Sequence, residues 1–366
     1  MKNKKNILID IGHPAHVHLF RNFIFEMKKA GYKIYVVTKE VNLIVSLLTI
    51  YSIPFNLIGR KRDSLFLKYI DQITFILKTA YYVMKYRIGI GMGVSMTLPL
   101  VSRITGIDTL GFDDDDTEAT PTFAKYVNQS TNILTPDCLK FENRGEHHIT
   151  YAGFHELAYL HPNRFTPDEK ILAECGLKKD EVFFIMRFNS FKAHHDIGVN
   201  GLSIENKRKL IDILSKKGKI FITTERDIEP EFEQYKLKVS QEKAHSLIAF
   251  ATMLIGDSQT MTSEAAVLGT PSVRCNTFVG RIAYLEEEEH KYHLTYGFHP
   301  SESDKMFEKI EELLAMPDLK SEWQVRRRKL LSDKIDVTAF LVWFVTNYPE
   351  SVKTMKNNPD YQYNFK

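Results

Sequence analysis

Cysteine is scarce. Three residues, Cys138, Cys175 and Cys275, lie far apart and form no CxxC pair. That excludes a disulfide framework and a zinc knuckle, and it fits a reduced, cytoplasmic setting. A surplus of one charge is also missing: 49 Lys and Arg stand against 46 Asp and Glu, a formal net charge of +3. The basic residues are scattered, so no electrostatic footprint for nucleic acid is expected. No stretch of ~20 uninterrupted apolar residues occurs, which argues against a spanning helix. The N-terminus "MKNKKNILIDIG" starts like a signal peptide, but its apolar run covers only Ile7 to Ile11 before His13 and Pro14 end it. No cleavage site follows, so a first buried strand is expected there. Low-complexity segments and short tandem repeats are lacking too.

What is present is core material. The 366 residues are 43% hydrophobic, and at about 100–200 residues per domain two domains are the natural expectation. The first half alternates strand and helix. "NILIDI" is a short β-branched run. A helical pattern then places Val17, Phe20, Phe23, Ile24 and Met27 on one face, and Gly31 stops it. "KIYVVT", "PFNLI", "IGIGMG", "DTLGF" and "NILTP" follow as strands separated by helices, one of them long (about 64–87). The cycle restarts with "EVFFIMRF", "KIFITT", "MLIG" and "PSVRC". Strict alternation predicts parallel sheets covered on both faces. The expected domains are 1–160 and 161–335. A tail, 336–366, carries the apolar stretch "VTAFLVWFV", which is expected to pack back on the first domain.

In such sheets ligands bind at the carboxyl ends of strands, where helix N-termini offer free N–H groups. Several strand-end stretches carry suitable chemistry. After "MLIG", Asp257 and Ser258 lead into a helix whose first turn holds Gln259 and Thr260. Unpaired N–H groups and hydroxyls there suit a phosphate. Glu264 faces the same way as Thr260 and suits a ribose. The bland alternative is an ordinary capped helix with a solvated Glu. In "DIGHPAHVHLF", a histidine at the first strand end suits a general base: His16 first, His13 next. Zinc is disfavoured because His16 and His18 point to different sides of a helix. The turn "GFDDDDTEA" crowds Asp113 to Asp116 and Glu118 together. A DxD pair holding a cation against a diphosphate is one reading; another is Asp114 or Asp115, with Glu118, facing the cleft as base or acceptor ligand; the bland one is a solvated loop capping the next helix. A cationic loop, "RFNSFKAHHD", offers Arg187, Lys192, His194 and His195 to a departing diphosphate, Asn189 and Ser190 are expected in the same nucleotide-sugar site, and Glu225 with Arg226 borders the base or diphosphate. The segment 64–87 carries many aromatics and several lysines. Its apolar stripe would suit a bilayer surface if it exceeded what the sheet needs.

"GDSQTMTSEAAVLGTPSVR" resembles the nucleotide-binding segment of the UDP-N-acetylglucosamine 2-epimerases. There a GDSGG-type turn is followed by a Glu and a G-x-P strand entry. Ser258 and Glu264 match those positions, and Gln259 and Thr260 replace the two glycines. His16-Val17 matches the H-V of the glycosyltransferases that make lipid-linked GlcNAc. Through "DIGHPAHVHLF", "RFNSFKAHHD" and "IGDSQTM…EAAVLGTP" most of the chain resembles a poorly characterised family of the GT-B superfamily, a domain of unknown function. The resemblance implies an α/β GT-B architecture, two Rossmann-like domains facing across a cleft. It implies a metal-independent glycosyltransferase without a cofactor. The donor would be a nucleotide-diphosphate sugar, a UDP-sugar first, and the acceptor a saccharide or lipid-linked molecule. The setting would be polysaccharide or glycolipid synthesis at the inner face of the membrane. A 2-epimerase and a non-catalytic nucleotide-sugar-binding protein are the alternatives.

Overall fold

The computed structural model describes residues 2–60, 65–188, 201–224 and 228–366, with side chains throughout except at 65–69. The chain divides into two units. Unit 1 is Met1–Arg164 with Lys334–Lys366, and unit 2 is Phe165–Asp333.

Unit 1 opens with β1 (Asn3–Ile11), α1 (Pro14–Lys29), β2 (Lys33–Glu40), α2 (Asn42–Ile50), β3 (Phe55–Arg60), α3 (Leu65–Lys85) and β4 (Ile88–Gly93). It continues through α4 (Thr97–Thr105), β5 (Asp108–Phe112), α5 (Pro121–Val127), β6 (Asn132–Pro136), β7 (His148–Tyr151) and α6 (Leu157–Leu160). The seven strands are all parallel in the order β3-β2-β1-β4-β5-β6-β7. The chain therefore reverses its direction of growth between β1 and β4, the switch point at which open α/β sheets present a crevice. That point is clamped: the Ser95 hydroxyl donates to Asp10 at the end of β1 and accepts from Thr97 and Leu98 N–H at 3.0 and 3.2 Å.

The predicted face of α1 is the buried one: Val17, Phe20, Phe23, Ile24 and Met27 are each fully covered. Gly31 follows the last turn at φ +83°, a conformation that costs a residue with a Cβ but not glycine.

Unit 2 runs α7 (Lys170–Glu174), β8 (Phe183–Phe188), α8 (Ile204–Ser215), β9 (Lys219–Thr224), α9 (Ala244–Phe250), β10 (Met253–Gly256) and α10 (Gln259–Leu268). Then come β11 (Ser272–Cys275), α11 (Ala283–Glu286), β12 (Thr295–Phe298), α12 (Ser303–Leu314) and α13 (Leu319–Asp333). Its five parallel strands lie in the order β12-β11-β10-β8-β9. The edge strands β7 and β12, only four residues each, had no counterpart in the sequence pattern.

The chain then returns to unit 1 as α14 (Val337–Thr346) and α15 (Glu350–Asn357). α14 packs on α1 and α6 and buries Val337, Phe340, Leu341, Phe344 and Val345. Asp336 caps it by accepting from Ala339 N–H at 3.0 Å, and Arg164 ties Asp336 (2.6 Å) to Glu26 of α1.

Candidate functional site

In unit 1 the titratable residues gather at the carboxyl ends of β1, β5 and β7. His13 caps α1: its ring Nδ1 accepts from Ala15 N–H at 3.3 Å, ahead of Pro14 at the first helical position. His16 lies 5.7 Å from it, ring centre to ring centre, and accepts a long 3.4 Å contact from Gly12 N–H at Nδ1. That contact places the proton of the neutral ring on Nε2. Burial, with the nearby His13 and His155, holds His16 well below the usual imidazole range, and Asp114 opposes them only weakly. His16 is thus a neutral ring that donates. His18 turns away into the core, 5.3 Å from Tyr159 and 5.9 Å from Tyr51.

The acidic turn divides its work. Buried Arg144 stands at its centre and donates to Asp113 Oδ2 (2.5 Å), Glu142 Oε2 (2.6 Å) and the Asp115 carbonyl (2.7 Å). Asp113 is therefore a structural anchor, with burial pushing its carboxyl up to about 6 against the pull of Arg144. Asp115 is pushed to about 8 by burial and then by Asp114 and Asp113, so at neutral pH it is a protonated acid. Glu118 is exposed, and among the described residues no contact joins it to this network. Asp114 faces His155, with Asp114 Oδ2 2.9 Å from His155 Nδ1.

His155 is the residue the sequence pattern missed. It sits four residues past the end of β7, in a stretch whose Gly and Pro punctuation marks it as an interdomain join. It is 7% exposed, and its Nε2 is buried with no hydrogen-bond partner among the described residues. Burial alone would lower its pKa, but the Asp114 carboxylate and its hydrogen bond raise it overall. For Asp114 burial would raise the pKa, and His155 beside it brings it below the ordinary carboxylate value. With Nδ1–H given to Asp114, Nε2 carries the lone pair. This is the tautomer of a general base, which His16 lacks. The sequence pattern offered His16 first and His13 next as the base; the geometry adds His155 to that set.

In unit 2 Arg187, Ser258, Gln259 and Thr260 lie at the edge formed by β8, β9 and β10. Gly256 pairs with Arg187 across β10 and β8, so closely that a Cβ at Gly256 would stand 2.0 Å from the Arg187 carbonyl oxygen. Asp257 N–H then donates to that carbonyl (3.1 Å), which fixes the start of α10 beside Arg187. Arg187 is half-buried, and its Nη1 donates to Thr223 on β9 at 3.3 Å. Ser258 is buried and caps α10, accepting from Met261 N–H at 3.3 Å. Gln259 and Thr260 are half-buried in its first turn. Glu264 is neither an open anchor nor a solvated helix residue. It is 6% exposed and its Oε1 lies 2.9 Å from His245 Nε2 of α9. Asn189, Ser190, Lys192, His194, His195, Glu225 and Arg226 lie outside the described residues.

Unit 2 also holds an open depression of about 880 Å³, lined by Lys178, Lys217, Phe250, Thr252, Pro317 and Gln324 among others. It sits at the amino ends of β8 and β10, away from this edge. Among the described residues no group of three or more His, Cys, Asp or Glu has metal-holding geometry.

Comparison with known proteins agrees with this architecture. The family described as "Protein of unknown function (DUF354)" matches residues 5–295. An uncharacterized protein of Methanocaldococcus jannaschii, MJ0665, is 23% identical over 308 residues, 79% of this chain and 87% of that protein. Among solved structures, the spinosyn forosaminyltransferase SpnP aligns with a TM-score of 0.62 at 13% identity, covering 93% of this chain and 99% of its own. A UDP-N-acetylglucosamine 2-epimerase aligns with a TM-score of 0.62 at 12% identity, covering 90% and 95%. The likeness shows the fold: two Rossmann-like units of the GT-B type.

Proposed function

The chain belongs to the DUF354 family of unknown function, and from that premise we propose that it transfers a sugar from a nucleotide-diphosphate donor, a UDP-sugar first, to an acceptor hydroxyl. The observation that carries this is a division of chemistry. Unit 1 gathers a proton-handling cluster, and unit 2 gathers a cation and a helix N-terminus on one sheet edge. The diphosphate takes the N–H groups that open α10, with Thr260 and Arg187 beside it. These groups stabilise the charge that grows on the leaving phosphate as the sugar–oxygen bond breaks. Glu264, buried and engaged by His245 at 2.9 Å, braces α10 behind these groups instead of meeting the ribose expected of it.

In unit 1 the acceptor oxygen accepts from His16 Nε2–H and gives its proton to His155 Nε2. The Asp114 carboxylate stabilises the imidazolium that forms. A saccharide or lipid-linked acceptor, in cell-surface polysaccharide or glycolipid assembly, is the substrate class in view.

Thermal-shift and calorimetric titrations with UDP and UDP-sugars test the donor half. UDP is expected to raise the melting temperature, and Arg187→Met to weaken binding about 10- to 100-fold, as loss of a charge-assisted contact does. No response to any nucleoside diphosphate would end the reading.

A second reading has its own support. Asp115, protonated, adjoins ionised Asp114, and two carboxyls in opposite states can act as acid and base on one sugar, as an epimerase needs. Following UDP-GlcNAc by NMR without acceptor separates the two. Epimer or free ManNAc favours the second reading; an unchanged donor that turns over once an acceptor is added favours the first.

A further inference from the structure

Helix α3 is apolar on two opposite faces, and only one of them meets the protein. Inward, Phe75, Ala80 and Val83 join Leu8, Val37, Ile58, Leu98 and Val101 in the core of unit 1. Outward, Ile70 (38% exposed), Ile73 (45%), Leu77 (61%), Tyr81 (53%) and Met84 (64%) face solvent. At about 100° per residue these five fall within an arc of about 80° and form a stripe about 21 Å long. The sheet does not need it, since the core contacts of α3 lie on the reverse face.

Among the described residues of α3 the exposed charges beside this stripe have one sign. Lys78 and Lys85 are exposed, about 40–60° round the helix from Tyr81. Arg87 is exposed just past the helix end. From residue 70 onward the sole carboxylate of α3 is Asp71, and it is buried. Lys85 lies over the rings of Tyr81 and Tyr86 at 5.5 and 5.4 Å, so a cation and aromatic rings share one edge of the stripe.

We infer that the outer face of α3 docks on the surface of an anionic lipid bilayer. An apolar stripe beside lysines and free of exposed acids is the chemistry of an interfacial helix: side chains enter the acyl boundary while the ammonium groups meet lipid phosphates. No described helix is long and apolar enough to cross a membrane, so α3 lies on the surface rather than spanning it. A second copy of the chain is the competing occupant. In a self-complementary contact the rim lysines would find no carboxylate on the facing α3. The inference stands apart from the sugar-transfer reading, because it uses none of the same residues.

Co-sedimentation of the full chain tests it, with vesicles of phosphatidylcholine alone or mixed with phosphatidylglycerol, at low and high salt. The protein is expected to pellet with the mixed vesicles at low salt, and much less at high salt or with phosphatidylcholine alone. Leu77→Asp with Met84→Asp, and separately Lys78→Glu with Lys85→Glu, are each expected to weaken binding at least tenfold. All four residues are exposed, and the lysine pair leaves the apolar stripe intact, so a fold defect in one variant does not obscure the other. Three results would overturn the inference: no pelleting with anionic vesicles at low salt, affinity unchanged in both variants, or sedimentation equilibrium showing a wild-type dimer that Leu77→Asp with Met84→Asp dissolves.

Discussion

Asp114 and His155 stabilise each other's charged forms, and the directions of their shifts define where that matters. A His raised above its unfolded value contributes fully below about 6.5, and the contribution is lost as pH rises through its folded pKa. An Asp held down contributes above about 3.9 and loses that as pH falls through its folded pKa. The pair therefore supports unit 1 between those two limits. If His155 is the base it must be deprotonated to act, so the acid limb of kcat/KM is expected above pH 6.5. Asp114→Asn should move that limb down and lower kcat by about 10²- to 10⁴-fold; a limb that stays put would assign the base elsewhere. Asp115 behaves oppositely. Folded it keeps its proton up to about 8, whereas the unfolded carboxyl ionises near 4. The native state is thus penalised increasingly as pH climbs between the two. Asp115→Asn is expected to raise the melting temperature at pH 8 more than at pH 5, which paired scans would read directly. Of these residues Asp114 and Asp115 stand out in the sequence because the four aspartates are consecutive. Arg144, which organises the turn, and His155, which orients Asp114, carry no local signal; both arrive by way of the tertiary fold.

At the level of elements, α10 shows how one segment serves two demands. Ser258 is the N-cap of the helix whose first N–H groups are proposed to hold the phosphate, and the two roles have separate readouts. Ser258→Ala is expected to cost about 1 kcal/mol of stability in urea unfolding, as the loss of a cap does. It should weaken UDP binding less than Arg187→Met, because the helix N–H groups remain. The strand-to-helix turn at Gly256 was legible from its sequence, since an apolar run that breaks at Gly-Asp-Ser is a β-to-helix signal. The partner of Glu264 was not. His245 lies one helix earlier, on a segment whose pattern announces only a helix. α3 is the reverse case. Its two apolar faces are visible in periodicity, but which one is core depends on where the sheet lies.

For the whole molecule, unit 1 is discontinuous and unit 2 is a single span. The return segment buries Val337, Phe340, Leu341, Phe344 and Val345. At about 1.5–3 kcal/mol for each large side chain removed from water, those residues together amount to roughly 10 kcal/mol. That is comparable with the total stability of about 5–15 kcal/mol of an ordinary domain. Deleting residues 334–366 is therefore expected to abolish cooperative unfolding of unit 1 and to increase dye binding to exposed apolar surface, which a calorimetric scan with a dye-binding assay would detect.

The alternation of strand and helix, the core face of α1, and the strand ends rich in titratable side chains were all determined by the sequence. Periods of two and 3.6 residues and turn chemistry act over a few neighbours, and a local pattern suffices to express them. Tertiary structure alone decided which of those strand ends meet. Asp114 reaches His155, Arg144 reaches Asp113, and Arg187 lies beside Gly256 because of strand order and crossover connections. The protonation states followed from the same source, since a carboxyl or imidazole takes its charge from burial and from neighbours that are distant along the chain.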